Sequence, residues 1–308
     1  MLQPAAPHLP PEPDAAVPAL GGAAVSEAPF ERIDPSELVT PLVHLSAHSG
    51  RIYPPAMMAA SHLDAAAIRR SEDAWVDTLV DSAPRSGGPL FLARYARAFV
   101  DLNREPLDLD PAMFEGEPFV GGLSAPTARA AAGLGSIARV VAEGQEIYSR
   151  KLTFAEAEAR LDAVHAPWHQ AVQTAVEDAR ARFGAALVVD WHSMPSAAAG
   201  AGRRTPDIVL GDRYGASCAG PVVRWLEREF EARGYLVARN APYAGGYACT
   251  RYGRPADGLH AVQIELNRGL YMDERTLEPS GGFAHLRRDL DRLLRTMFKA
   301  NWRALLIR

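Results

Sequence analysis

Two histidines stand just past short apolar runs. His48 follows Leu42 to Leu45 in a small-residue turn, Ser46-Ala47-His48-Ser49-Gly50-Arg51. His192 follows Ala185 to Val189, in Asp190-Trp191-His192-Ser193-Met194-Pro195. Apolar runs of that length predict buried strands, and the proline forbids regular continuation. In α/β proteins ligands bind beyond the carboxyl ends of strands, and a neutral imidazole there can hold a metal. Glu265 falls inside another strand pattern, His260 to Arg268. A glutamate is costly to bury unless it is paired or functional. It can act as a general base or form an ion pair with Arg268. Arg94 and Arg97 lead into Asp101-Leu102-Asn103-Arg104. Arginine at a strand end suits a fork that grips a carboxylate, with a structural pair to Asp101 as the other reading.

Around these residues the chain alternates strand and helix patterns. Leu63 to about Ser82 reads as a helix, with Asp73 and Asp77 four apart on one face. Such a pair is either a solvated face or two carboxylates sharing something positive. Phe91 to Asp101 reads as a strand. Residues 105–122 read as a long surface loop, and 197–205 as a flexible basic one. Phe154 to Phe183 reads as an amphipathic stretch that Pro167 breaks into two helices. His169, beside that break, is expected to pack between helices, and His44 to be a core or edge histidine. Tyr235 to Arg239 is a further strand. Asn240-Ala241-Pro242-Tyr243-Ala244-Gly245-Gly246-Tyr247 is a loop able to wrap a small ligand. Gly282 to Ile307 closes the chain as a helix. Ser193 reads as a turn residue, because no G-x-S-x-G elbow surrounds it.

Two histidines at strand ends, a carboxylate between them in sequence, a late strand glutamate and surrounding arginines describe a mononuclear zinc hydrolase. Catalytic zinc takes three protein ligands and a water, whose pKa it lowers toward 7. A nearby carboxylate moves the proton.

Six ordered stretches carry a resemblance: His48 to Arg51, Asp101 to Arg104, Asp190 to Pro195, Asp207 to Arg213, Asn240 to Tyr247 and Gln263 to Arg268. Together, across roughly residues 30 to 300, the chain resembles the N-formylglutamate amidohydrolases. The resemblance implies an α/β fold like that of the zinc carboxypeptidases, with three α/β/α layers around a mostly parallel mixed sheet. It also implies His48 and His192 as zinc ligands. In the carboxypeptidases the second ligand is a glutamate three residues after the first histidine. Here that position is Arg51, so the carboxylate must come from elsewhere. Asp73 is expected as third ligand, with Asp77 as an orienting or alternative group. The family likeness implies Glu265 as the catalytic glutamate. Arg104, with Asn103 and helped by Arg94 or Arg213, would hold the substrate carboxylates.

The expected activity is release of formate from N-formyl-L-glutamate or a similar N-formyl amino acid. Another N-acyl amino acid or peptide-like amide would use the same machinery. A silent relative that binds an acidic ligand is the reading from a different class.

Composition agrees. A chain of 308 residues, 48% hydrophobic, can fill one large α/β domain, taken here as residues 29–308. A net charge of -4 leaves no nucleic-acid footprint. No apolar run approaches the roughly 20 residues of a membrane helix. Two distant cysteines fit a reducing, cytoplasmic setting. Residues 1–28, rich in Pro, Ala and Gly, read as a disordered tail without the features of a signal peptide.

Overall fold

The computed structural model describes residues 27–116, 125–141, 144–199 and 205–307. The tail assigned to residues 1–28 lies outside them except for its last two residues. Parts of the loops at 105–122 and 197–205 also lie outside.

Seven strands form one sheet: β1 (Phe30–Ile33), β2 (Leu42–Ser46), β3 (Leu90–Ala93), β4 (Ala186–Met194), β5 (Ile208–Gly211), β6 (Val237–Arg239) and β7 (Leu259–Asn267). Their order is β1-β3-β2-β4-β7-β5-β6. The pairs β2–β3, β2–β4, β4–β7 and β5–β6 are parallel; β1–β3 and β5–β7 are antiparallel. The expected mostly parallel mixed sheet is therefore observed. β4 and β7 are buried along their whole lengths. This is why their sequences read as near-continuous apolar runs rather than alternating ones.

Helices cover both faces. On one, α1 (Phe154–Arg160) and α2 (Ala166–Phe183) pack with Trp168 against Phe30 and Phe91. On the other lie α3 (Gly220–Glu231), α5 (Phe283–Lys299) and α6 (Trp302–Leu306), while α4 (Tyr247–Tyr252) packs with the first group through Ala248, Cys249 and Tyr252. Leu286, Leu290, Leu293, Leu294 and Met297 make the buried stripe of α5. Each such side chain contributes about 1.5–3 kcal/mol. Among the described residues no helix is long and apolar enough to cross a membrane.

Four local expectations are corrected. Leu63 to Ser82 is not one helix; it holds two short helical turns, Ile68–Ser71 and Val76–Leu79. Trp75 between them sits at φ 68°, which no right-handed helix accommodates. The strand expected from Phe91 to Asp101 stops at Ala93, where the Arg94 carbonyl is taken by the amides of Arg51 and Ile52. Pro167 does not split the helix. A π-turn, Leu161–His165, joins α1 to α2 and absorbs the amide that proline lacks. The C-terminal helix is interrupted at residues 300–301, and Asn301 caps α6 by accepting the Ala304 amide.

Candidate metal centre and active site

The carboxyl ends of β2, β3, β4 and β7 converge on one cluster. His48 lies just past β2, and His192 near the end of β4. Asp73 comes from the broken helical stretch, where its backbone N–H donates to the His48 carbonyl at 3.0 Å. Asp73 therefore reaches the cluster from a turn, not from a helix face. One ligand-type atom from each of His48, Asp73 and His192 lies within 4.8 Å of the others, and all three residues are buried.

The outward ring nitrogens are held by carboxylates. His48 Nε2 is 2.6 Å from Asp101 Oδ1. Asp101 Oδ2 accepts from Arg97 Nη2 at 2.8 Å. Burial works to raise the Asp101 pKa, but the fields of His48 and Arg97 hold it well below the ordinary range. His192 Nε2 is 2.8 Å from Asp190 Oδ2, out of line for a hydrogen bond. Asp190 is fully buried, and neither of its carboxylate oxygens has a hydrogen-bond partner. Both Nδ1 atoms face Asp73. His192 Nδ1 is 2.9 Å and His48 Nδ1 3.5 Å from Asp73 Oδ2. His48 Nδ1 is buried and has no hydrogen-bond partner.

Asp73 is clamped from behind. Its Oδ1 accepts from Ser193 Oγ and from Arg268 Nη2, each at 3.1 Å. Arg268 also donates to Ser193 Oγ at 3.0 Å and to the Glu72 carbonyl at 2.7 Å. Burial works against the Asp73 carboxylate, yet the hydrogen bond from His192 and the charges of His192 and His48 hold its pKa well below the ordinary range. Burial likewise opposes the His192 imidazolium, and Asp190 and Asp73 lift its pKa well above the ordinary value. A cation entering this site displaces protons.

Glu265 of β7 stands opposite His192 of β4 in register. It is buried, and Gln263 Nε2 donates to its Oε1 at 2.6 Å. Burial raises its pKa; His192 opposes this and Asp73 reinforces it. It makes no ion pair with Arg268, which is committed to Asp73. Asn103 is equally buried. Its Nδ2 lies 3.1 Å from His192 Nε2 and donates to Gln263 Oε1 at 3.2 Å, while its Oδ1 accepts the Ala248 amide at 2.8 Å.

The cluster opens into a cleft of about 860 Å³ that Arg104, Arg213 and Tyr243 also line. Arg94 and Asp77 are not part of it. Arg94 pairs with Glu27, and Asp77 with Arg51 at 2.5 Å. Thus the expectations of Arg94 as a substrate grip and of Asp77 as a second metal carboxylate are corrected: both side chains spend their charge on a partner outside the cleft.

Comparisons with known proteins place the chain in a family. Residues 40–272 match the family model of N-formylglutamate amidohydrolase. The crystal structure of an N-formylglutamate amidohydrolase from Ralstonia eutropha JMP134 superposes with a TM-score of 0.85 at 40% identity, covering 90% of this chain and all of that one. The chain belongs to the N-formylglutamate amidohydrolase family. It therefore belongs to a class of enzymes that hydrolyse an amide C–N bond. The N-formylglutamate deformylase of Pseudomonas aeruginosa is 31% identical over 240 residues, 76% of this chain and 83% of that relative. That of Pseudomonas putida is 30% identical over 206 residues, 65% of this chain and 70% of its own length. A gene product of Agrobacterium tumefaciens, 18% identical with a TM-score of 0.62, shares the fold.

Several residues that build this amidohydrolase site escape a reading of the sequence. Asp190 sits two residues before His192 on the same strand face, and that period of two is the signal that could have found it. Ser193 and Arg268 are 75 positions apart, and only the fold makes them partners. His165 and His169 buttress the loop that carries Asp101, Asn103 and Arg104. His165 Nε2 donates to the Arg104 carbonyl at 2.9 Å, and His169 Nε2 to the Leu102 carbonyl at 3.0 Å. The π-turn ends at His165. His44, as expected, is a core residue between Ser86 and Trp191, and burial pushes its pKa down to about 3.

Two substitutions test this scaffold. Gly246 has no Cβ, and one built there would lie 2.5 Å from Asn103 Nδ2. Gly246→Ala is expected to keep its circular dichroism but lose about 100-fold in turnover, the cost of a displacement of about 1 Å. His165→Ala leaves the Arg104 carbonyl without its donor. It should cost about 1–3 kcal/mol in a denaturant titration and raise KM more than it lowers kcat.

Proposed function

We propose that this chain is a metal-dependent deformylase of N-formyl-L-glutamate. The carrying observation is the orphaned, buried His48 Nδ1, converging with His192 Nδ1 on Asp73 Oδ2 while both Nε2 atoms face carboxylates. A buried ring nitrogen without a partner is costly, and a cation satisfies it. Carboxylate–histidine pairs of this kind orient metal-binding imidazoles. His48, His192 and Asp73 would hold the ion, and the donor set of two nitrogens and one oxygen suits zinc.

A cation held there would lower the pKa of a bound water and polarise the formyl carbonyl. Glu265 takes the proton from the attacking water. It then delivers that proton to the departing amine nitrogen, so formate and free glutamate leave. Its burial keeps the carboxylate basic enough for both transfers. Arg104 and Arg213, on the cleft wall, bind substrate carboxylate and hold the formyl group against the cluster. Two buried free cysteines fit a cytoplasmic enzyme.

The test is formate release from N-formylglutamate by chelator-stripped protein before and after one equivalent of zinc. Stripping should abolish release and zinc should restore it. Release that is unchanged by stripping, or absent from the zinc-loaded protein, would overturn the reading.

A further inference from the structure

The cleft holds more positive charge than the proposed chemistry uses. Arg97 is committed to Asp101 and Arg268 to Asp73. Arg104, Arg213 and Arg129 also line the cleft, and none makes an ion pair among the described residues. Arg129 belongs to none of the sequence motifs. It sits on a short helix, Ala128–Ala131, in a segment that reads as a featureless run of alanines.

The structure ties that helix to the substrate loop at both ends. Asp108 accepts the Thr127 amide at 2.9 Å and its hydroxyl at 2.8 Å, while Thr127 Oγ1 accepts the Ala130 amide as the helix cap. Beyond the helix, the Leu134 amide donates to the Arg129 carbonyl at 2.9 Å, and the Leu134 carbonyl accepts Arg104 Nε at 3.0 Å. Arg104 is thereby fixed to the segment that presents Arg129. Burial pulls the Arg104 pKa down; Asp101 and Asp108 oppose this, while the like charges of Arg97 and Arg129 reinforce it. Like charges that make no ion pair and stand close together in one cleft favour the entry of an anion.

We propose that Arg129 is a specificity-determining residue: with Arg104 on one substrate carboxylate, Arg129 reads the second, side-chain carboxylate and selects N-formyl derivatives of acidic amino acids over neutral ones. This rests on the deformylase reading above. The guanidinium acts far from the formyl carbon, so it contributes to binding in ground state and transition state alike.

Arg129→Gln separates the possibilities, with N-formylglutamine as the neutral isostere of N-formylglutamate. The variant should raise KM for N-formylglutamate by about 10- to 100-fold, the range for losing a charge-assisted contact, with kcat nearly unchanged. KM for N-formylglutamine should stay as in wild type, and Arg129→Lys should recover part of the preference. Equal losses on both substrates, or no loss on either, would overturn the proposal. So would a matching loss in Arg94→Ala, whose side chain lies outside the cleft. Calorimetric binding of glutarate against butyrate to the zinc-loaded protein needs no turnover. If wild type releases no formate from either substrate, the deformylase reading fails, and glutarate decides Arg129 by itself. A glutarate affinity about tenfold weaker in Arg129→Gln, with butyrate unchanged, supports the assignment; an unchanged one ends it.

Discussion

Glu265→Gln should retain its metal and lose turnover by about 10²- to 10⁴-fold, the range that a positioned general base supplies. The substitution is close to isosteric. The carbonyl oxygen of the new amide can still accept the Gln263 Nε2 bond that Glu265 Oε1 accepts at 2.6 Å. Packing at this buried position on β7 is then preserved, and so is the register that sets it opposite His192. What disappears is the capacity to take and return a proton. Elemental analysis and formate release, measured on the same preparation, distinguish this from loss of the site. Full activity would remove Glu265 from the mechanism, and a metal-free variant would mean that it holds the cluster instead.

His192→Ala should lose the metal, and with it all measurable turnover. The imidazole is one of three converging donors, and its removal also leaves two buried carboxylates, Asp73 and Asp190, short of a partner. Breaking a buried charged pair on one side costs about 3–5 kcal/mol, so the variant should also unfold at lower denaturant concentration. A milder variant makes the argument independent of that damage. Asp190→Asn keeps the ligand and removes only the charge behind it. Metal affinity should then fall by about 10- to 100-fold, as for other carboxylates that orient a metal-binding histidine. Undiminished metal content in His192→Ala would exclude it as a ligand. Undiminished affinity in Asp190→Asn would mean that Asp190 does not orient His192.

The two histidines and Glu265 are legible in the sequence, because each stands at the end of, or inside, a run whose period marks a buried strand; the Asn103-Arg104 pair is legible from its motif, although the strand expected before it ends at Ala93. The alternation of those runs with helix patterns is legible too, whereas the mostly parallel mixed sheet is what the family resemblance implies. Asp73 is legible as a carboxylate of the right kind, but for a wrong local reason. The helix meant to pair it with Asp77 does not exist, because Trp75 adopts a left-handed conformation and the Glu72 carbonyl is captured by Arg268, far away in the chain.

Local sequence thus determined which side chains could do the chemistry and which strands carry them, since strand period and apolar runs are short-range properties. Only the tertiary structure decided how those side chains are held. Arg268 and Ser193 on Asp73, Asp101 behind His48, the His165–His169 buttress and the pairing that draws Arg94 and Asp77 away from the cleft all join residues remote in sequence. Such hydrogen bonds and ion pairs depend on distance in space, which no window of sequence contains.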